Sequence, residues 1–345
     1  QYMNSVLLIV IIAVAIALIF DVINGFHDSA NSIATVVSTR VLSPKLAVLW
    51  AAFFNFIAMF VFAPRVAGTV SKIVKINPAD PAFLYVVLAG VLGAVVWDLL
   101  TWWWAIPTSS SHALIGGLAG AGMTYMGASV ISWDKLITTM QYIPLAPLIG
   151  FAGGFVLMIA VYWIFRKWAP DKVDKFFRKG QLVSAALYSL GHGGNDAQKT
   201  MGVILAILIA SGYVAKNTEI SITDTKTLWI VLSCHAAMAL GTALGGWRIV
   251  KTMGMKLTKL KPVNGFCAET AGAFTLFMVT HLGIPISTTH TIAGSIIGVG
   301  STMHFSQIKW SLAGRIIIAW FVTIPCSAII AGLTFYIFKT LHLWL

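Results

Sequence analysis

Long runs of apolar residues, separated by short polar stretches, follow one another along the whole chain. Runs such as 6–20, 46–63 and 145–165 approach or reach the roughly 20 residues that a helix needs to cross a bilayer. A transmembrane β-barrel would instead show short segments of alternating hydrophobicity. The pattern therefore predicts an all-α polytopic membrane protein. We interpret the first run as a membrane helix rather than a signal peptide, because it lacks a basic leading region.

The hydrophobic segments form two sets of five on either side of the most highly charged stretch, RKWAPDKVDKFFRKG at 166–180. The first set covers 4–38, 46–64, 82–101, 103–127 and 142–165, and the second covers 181–213, 227–249, 264–283, 284–303 and 312–340. We therefore expect three parts, which are a first transmembrane repeat at 1–165, a basic linker at 166–180 and a second transmembrane repeat at 181–345.

Two motifs occur once in each half. PTSSSHALIGG, from Pro107, matches PISTTHTIAGS, from Pro285, at a constant offset of 178 residues. NGFHDSANS in the first half aligns with HGGNDAQKT in the second, which places Asp28 opposite Asp196. Matches in the same order indicate a duplicated protein. If each half crosses the membrane an odd number of times, the two repeats have inverted topology. We expect ten to twelve membrane elements, some of them broken or re-entrant helices.

Composition supports the membrane assignment, since 58% of the residues are hydrophobic and only 10% are charged. The formal net charge is +12, but no basic patch interleaved with aromatic residues is present, so we expect no nucleic-acid partner. Three cysteines, Cys234, Cys267 and Cys326, lie in apolar segments without metal-ligand spacing. We therefore expect neither a transition-metal site nor a disulfide.

The positions of the basic residues predict the orientation of the chain. With five crossings in each half, one side of the membrane collects fifteen of them, Arg40, Lys45, Arg166, Lys167, Lys172, Lys175, Arg178, Lys179, Arg248, Lys251, Lys256, Lys259, Lys261, Lys309 and Arg315. The other side collects Arg65, Lys72, Lys75, Lys135, Lys216, Lys226 and Lys339. By the positive-inside rule the richer side is cytoplasmic, which places the linker in the cytoplasm and both termini outside. The predicted location is the cell membrane.

Proline interrupts an apolar segment at Pro107 and again at Pro285. Irregular backbone survives at membrane depth only where it is packed in protein or lines a cavity, so each proline predicts an interrupted helix. The N-terminus of the helix that follows presents free N–H groups to an anion. The hydroxyl residues at these two helix starts are Ser109, Ser110, Ser111, Ser287, Thr288 and Thr289. They predict a shared site for a tetrahedral oxyanion such as phosphate. Alternatively, these small residues only permit close helix packing.

Three acidic residues, Asp28, Asp196 and Glu269, lie at predicted membrane depth, where a carboxylate costs roughly 2.5 to 3.5 kcal/mol. Lys199 is a local partner for Asp196, whereas the equivalent position of the first half is Asn31. A bound Na⁺ or a proton would compensate the charge. Further oxygen ligands for such a cation are offered by Asn24, Asn31 and Asn195. Alternatively, the carboxylates accept hydrogen bonds at helix breaks without binding an ion.

Other polar residues have more than one interpretation. Asp21 and Asp98 lie near predicted segment ends, and Asp98 precedes TWWW, a sequence typical of a membrane interface. For the matched histidines His112 and His290 we favour a structural role over proton transfer. Motifs for nucleotide binding, zinc proteolysis and nucleophile elbows are absent from the sequence, so we expect neither ATP-driven transport nor an enzyme. A membrane enzyme that pairs Ser109 with His112 is the alternative from another class.

These motifs resemble those of the inorganic phosphate transporter (PiT) family, which are cation-coupled phosphate symporters. GGNDAQ, from Gly193, is similar to the family signature of the type G-x-N-D-x-A, and the first copy, GFHDSANS, has His27 where asparagine is usual. PTSSSHALIGG, PISTTHTIAGS and NGFCAETAGAF, which contains Glu269, are also similar to the family pattern. The resemblance spans both halves of the chain.

The resemblance implies import of inorganic phosphate in symport with Na⁺ or H⁺ by alternating access, without a cofactor, in a lipid membrane and as a homodimer. It implies that the six hydroxyl residues bind phosphate and that Glu269 takes part in coupling. The cation ligands that it implies are Asp28, Asp196, Asn24, Asn31 and Asn195. Two alternatives remain open, namely transport of another oxyanion such as sulfate, and an anion channel.

Overall fold

A computed structural model describes residues 2–75, 77, 80–303 and 305–343, except for the side chains of residues 2–5 and 307. Within this range the chain consists of helices and their connections, without a β-strand. The described helices α1, α4, α5, α6, α8 and α12 are long and apolar enough to cross a membrane. The predicted all-α, multi-pass membrane fold is therefore confirmed.

The helices of the two halves follow each other in a similar order. The first half contains α1 (Tyr2–Ser38), α2 (Pro44–Ile57), the short α3 (Arg65–Val70), α4 (Ala82–Trp103), α5 (Ser110–Met126) and α6 (Trp133–Phe165). The second half contains α7 (Pro170–Ala210), α8 (Thr225–Leu244), the short α9 (Trp247–Val250), α10 (Pro262–His281), α11 (Thr288–Ser301) and α12 (Trp310–Thr340). A π-helical turn, Lys251–Lys256, directly follows α9.

The charged stretch at 166–180 is largely helical. Helix α7 begins at Pro170, a favourable first helical residue, and continues without interruption into the second set of membrane segments. Lys172, Lys175, Arg178 and Lys179 therefore lie on the first turns of a helix of 41 residues, whereas Arg166 and Lys167 precede it. The boundary that the hydrophobic pattern placed at 181 marks where α7 becomes apolar, because hydropathy reports burial rather than backbone conformation.

Both predicted helix interruptions are present. Helix α4 ends before Pro107 and α5 begins after it, while α10 and α11 flank Pro285 in the same way. The serine two residues beyond each proline is the N-cap, since Ser109 Oγ accepts a hydrogen bond from the backbone N–H of His112 (3.2 Å). Ser287 caps α11 through an equivalent bond of 3.1 Å. Proline stops the preceding helix, and the serine starts the next.

Glycines allow helices from different halves to pack closely. On α5, Gly116 lies against Ile324 of α12, and Gly120 lies against Ala328. A Cβ atom on Gly120 would be only 2.5 Å from the Cα of Ala328, so no larger residue fits. The contacts advance in the same direction on both helices, which shows that α5 and α12 run parallel. Small residues permit this close approach within a membrane.

The same arrangement joins the other two helices. On α11, Gly294 lies against Pro147 of α6, and Gly298 lies against Phe151. A Cβ atom on Gly298 would be 2.9 Å from the Cα of Phe151. Helices α6 and α11 therefore also run parallel along their contact. In each half the helix that follows the proline break, α5 or α11, packs against the long final helix of the other half.

We predict that Gly120→Val and Gly298→Val each destabilise the protein. The added side chains must displace backbone, and overpacking of this kind costs about 1–3 kcal/mol. The midpoint of thermal unfolding in detergent should therefore fall for both variants. Gly314→Ala in α12 is the control, because no neighbouring atom lies within 4 Å of its new methyl group. Unchanged melting of the two valine variants would contradict the close helix contacts.

Candidate functional site

The two aligned acidic motifs meet at the centre of the molecule. Asp28 lies on α1 and Asp196 on α7, two helices that pack against each other, and both side chains are buried. Together with His192 they offer three possible ligand atoms that all lie within 4.8 Å of one another. Residues separated by more than 160 positions in the sequence therefore form one cluster, which contains two of the proposed cation ligands.

The hydroxyl groups at the start of α11 bond directly to this cluster. Thr288 Oγ1 donates to Asp196 Oδ2 (3.1 Å), and Thr289 Oγ1 donates to Asp28 Oδ1 (3.5 Å). Asn31 Nδ2 donates to both threonine hydroxyls, at 3.2 and 2.9 Å. The candidate anion ligands and the candidate cation ligands are thus partners of one another.

Lys199 connects the cluster to the other helix break. Its Nζ contacts Asp196 and the hydroxyl of Ser111, and it donates to the backbone carbonyl of Ile286 (2.8 Å). Ser111 donates to the same carbonyl at 3.1 Å. The spacing of three residues predicted the pairing of Lys199 with Asp196, but not the reach of the lysine to both breaks. One signal was available in the sequence. The second copy of the motif has a long lysine side chain at position 199, where the first copy has the shorter Asn31.

The other three predicted hydroxyl residues lie around this centre with different partners. The side-chain oxygens of Ser109 and Ser287 cap their helices, as described above. Ser110 Oγ is buried without a hydrogen-bond partner among the described residues. It lies beside Asp98, which is on α4.

Asp98, which we interpreted as interfacial, is enclosed by protein. Its side chain is fully buried, and its two carboxylate oxygens have no hydrogen-bond partner among the residues described. Trp103 and Trp104, which follow Asp98 on the same segment, are in contrast 65% and 54% exposed. Asp98 faces inward because the chain after α4 folds back to begin α5. Its neighbours include His27, whose Nδ1 lies 2.8 Å from Asp28 Oδ1.

Asp21 is a second buried carboxylate that the sequence placed near a segment end. It lies near Asn24 and Thr200, again without a hydrogen bond within the described part of the chain. The amide oxygens of Asn24 and Asn195 are also buried and unpartnered there. The side-chain nitrogen of Asn195 donates to the hydroxyl of Thr280 (2.9 Å). This bond directs the amide oxygen of Asn195 away from Thr280.

Glu269 occupies a separate position between α10, α1 and α7. Its carboxylate accepts hydrogen bonds from Thr35 (2.5 Å), Gln181 (2.9 Å) and Ser184 (2.5 Å). Thr35 lies one helical turn after Asn31, so α1 contacts both sites. Gln181 and Ser184 were missed, although two polar residues three positions apart on an apolar helix mark one shared face.

The matched histidines pack together. The rings of His112 and His290 meet edge to face with their centroids 4.8 Å apart, and His290 stacks on Trp320 at 4.0 Å. Neither ring has a hydrogen-bond partner in the described part of the molecule. The structural role of the two histidines stays a prediction, and the contact that Ser109 makes with His112 is with its backbone N–H.

Comparisons with known proteins agree with this architecture. A model of the phosphate transporter family matches residues 24–331. A probable low-affinity inorganic phosphate transporter of Rhizobium meliloti (strain 1021) is 52% identical over 325 residues, which cover 94% of each chain. A protein of Bacillus subtilis (strain 168) with the same description is 42% identical over 339 residues, or 97% of this chain and 98% of the relative.

A solved structure described as the sodium-dependent phosphate transporter has the same fold. It matches with a TM-score of 0.87 at 24% identity and covers 96% of this chain and 99% of its own. At this identity the likeness concerns the fold. The match of the family model to most of the chain and the two relatives carry the assignment. This chain belongs to the phosphate transporter family.

Proposed function

We propose that the chain is a secondary active transporter that imports inorganic phosphate in symport with a cation, Na⁺ or H⁺. Relatives that share up to 52% of its residues are described as inorganic phosphate transporters, and a protein of the same fold is described as sodium-dependent. The observation that carries the proposal is the excess of buried carboxylates over buried cationic side chains around the candidate site.

The buried charges do not balance. Among the described residues the buried acidic side chains are Asp21, Asp28, Asp98, Asp196 and Glu269. Against these five stands one buried lysine, Lys199, which leaves four negative charges (5 − 1) when all five carboxylates are ionised and the histidines are neutral. A phosphate ion would add further repulsion at short range and low dielectric. Cations or protons that enter with the phosphate would offset this repulsion, and such joint entry is symport.

The unpartnered buried oxygens suit a hard cation. Asn24 and Asn195 offer amide oxygens, and Asp21 and Asp98 offer carboxylates, none of which has a partner within the described residues. Oxygen ligands are the kind that a hard cation such as Na⁺ takes, and protonation of the same carboxylates would serve H⁺ coupling. We retain Asp28, Asp196 and Asn31 in the cation site, and we add Asp21 and Asp98 as candidates.

Coupling follows from the hydrogen-bond donors. Each hydroxyl has a single hydrogen to donate, and Thr288 and Thr289 direct theirs to Asp196 and Asp28. A cation at these carboxylates would release both hydroxyls to donate to phosphate, together with the ammonium of Lys199. Glu269 remains a proposed coupling residue, because it accepts a hydrogen bond from Thr35, which lies one helical turn after Asn31 on α1.

We propose inverted topology for the two repeats. Helix α5 runs parallel to α12, and α6 runs parallel to α11. If α5–α6 and α11–α12 are hairpins, α5 and α11 point in opposite directions and present their N-termini to one central site. Alternating access between two such repeats suits a transporter. The outside location of both termini, the cytoplasmic basic stretch, the repeat boundaries and the homodimer stay predictions.

The experiment that tests the function is labelled phosphate uptake by purified protein in vesicles. We expect uptake above equilibrium under an imposed Na⁺ or H⁺ gradient, and loss of accumulation when the gradient is absent. Uptake that only equilibrates would indicate an anion channel. Stronger competition by sulfate than by unlabelled phosphate would indicate a sulfate transporter.

We predict that Asp28→Asn abolishes the cation dependence of uptake, because it removes the charge that the coupling cation compensates. The measurement is initial phosphate uptake against cation concentration. Asp174→Asn is the control, since Asp174 is an exposed carboxylate that pairs with Arg178 at the start of α7. Normal cation dependence in Asp28→Asn would reject its place in the cation site.

We predict that Thr288→Val and Thr289→Val weaken phosphate binding by roughly 10-fold or more each, since a hydrogen bond to a charged group contributes about 1.5–3 kcal/mol. Valine keeps the shape of threonine without its hydroxyl. Thr291→Val is the matched control, because among the described residues the Thr291 hydroxyl on the next turn bonds only to the backbone carbonyl of Ser287 (2.9 Å). Equal phosphate affinity in all three variants would assign the two hydroxyls to packing.

A further inference from the structure

A second polar feature lies away from the buried site, at the end of the molecule where α5 ends and α6 begins. A cavity of about 890 Å³ opens there between the segment around α3, the first turn of α6 and the chain after α7. The basic residues that line it are Arg65, Lys72, Lys75, Lys135 and Lys216, and the acidic residue is Glu219. The cavity wall therefore carries a formal charge of +4 (5 − 1).

Most of this positive charge is not neutralised within the protein. No lysine or arginine of the cavity has its side-chain nitrogen within 4.0 Å of a carboxylate oxygen of the described residues. The salt bridges of the described chain lie elsewhere in the molecule. Arg65 donates to the backbone carbonyl of His281 (2.7 Å), and Lys75 to that of Ser129 (3.2 Å). Like charges gathered in a cleft with low-dielectric walls focus a positive potential.

The distribution of basic residues over the whole chain makes this cluster unusual. Its five basic residues are five of the seven that the charge pattern assigned to the side of the membrane poor in Lys and Arg. That side is the predicted exterior. The positive-inside rule explains the scarcity of basic residues there, but not their concentration around one cavity.

The cavity lies directly beyond the buried site along α7. Leu205 lines it, nine residues after Asp196, which corresponds to roughly 14 Å along a helix axis. The segment between the cavity and the site is held by Gln198, whose side chain accepts from the backbone N–H of Val66 (2.9 Å) and donates to the carbonyl of Ala63 (3.0 Å). The α3 segment thus forms the floor of the cavity and is bonded to α7 between Asp196 and Lys199.

We propose that this cavity is an external anion vestibule, which binds inorganic phosphate weakly and concentrates it above the transport site. The direction of transport that it serves rests on the proposed function. A focused potential of this kind raises the rate of encounter with an anion by about 10- to 1000-fold at low salt. Because the basic side chains are accessible to solvent, salt screens this effect, with a Debye length of about 8 Å at physiological ionic strength.

The test measures the local potential with charged thiol reagents, using Asn217→Cys, an exposed position on the cavity wall. The measured quantity is the ratio of modification rates by an anionic and by a cationic methanethiosulfonate on purified protein in neutral detergent. Thr340→Cys, exposed at the end of α12 and outside the cavity, is the matched control. The unmodified chain gives the background of its native cysteines, two of which are buried.

We expect the ratio at Asn217→Cys to exceed the control ratio by roughly 10-fold at low salt and to approach it at high salt. Adding Lys72→Gln and Lys135→Gln to Asn217→Cys should remove most of the difference, and millimolar inorganic phosphate should slow the anionic reagent. Equal ratios at the two cysteines would overturn the vestibule.

Phosphate uptake provides the second readout. The Lys72→Gln/Lys135→Gln variant should show a several-fold higher KM for phosphate at low salt, an unchanged kcat, and no difference from the unmodified chain at high salt. Lys172→Gln/Lys175→Gln at the start of α7 is the control, with the same loss of charge. A fall in kcat that persists at high salt would assign the two lysines a structural role and overturn the proposal.

A phospholipid headgroup has the same chemistry as free phosphate, and the reagent experiment separates the two. Mixed micelles with phosphatidylglycerol provide the lipid arm. Protection of Asn217→Cys by phosphatidylglycerol but not by inorganic phosphate would identify a lipid site and overturn the vestibule. Because modification needs no transport, a high ratio in a chain that takes up no phosphate would support the vestibule and reject the proposed function. If the chain takes up phosphate but the ratio at Asn217→Cys equals that at Thr340→Cys, the proposed function is supported and the vestibule is rejected.

Discussion

The proposed site depends on the hydrogen bonds that the hydroxyl groups of Thr288 and Thr289 can donate. Each residue has one, and Asp196 and Asp28 receive them. The same hydroxyls lie at the start of α11, where free backbone N–H groups favour an anion. In the proposed mechanism a cation at the carboxylates changes the acceptor of these hydrogens from aspartate to phosphate. Cation and anion binding are then linked through shared donors, without a long conformational path between two sites.

The fold makes this exchange possible because it brings α1, α7 and the starts of α5 and α11 together in a buried environment. Two proline breaks supply the N-termini of α5 and α11, and glycines on both helices allow them to pack against the long helices α12 and α6. Lys199 spans both breaks and provides the one buried lysine among the described residues. Its counterpart, Asn31, bonds to the threonines instead. The two halves therefore share an architecture but differ in charge, which makes the duplicated site chemically asymmetric.

Much of this arrangement could be predicted from sequence, because the repeated motifs carry both positional and chemical information. The proline breaks follow from local rules, and the equivalence of Asp28 and Asp196 follows from the alignment of the halves, whereas the caps formed by Ser109 and Ser287 and the contact of α1 with α7 come from the structure. The burial of Asp98 could not be predicted, since three tryptophans follow it within six residues and two of them are exposed. The partners of Glu269 come from two other helices, and one sequence contains no direct signal for such contacts. The reach of Lys199 similarly depends on the tertiary arrangement of the breaks.

The most direct test of the central claim is the affinity of the purified protein for phosphate as a function of cation concentration, at equilibrium and without a gradient. If cations release the hydroxyl donors, phosphate affinity should rise with Na⁺ or H⁺ concentration, and phosphate should raise the affinity for the cation by the same factor. Phosphate affinity that stays constant when both Na⁺ concentration and pH are varied would contradict the exchange of donors and the symport mechanism built on it.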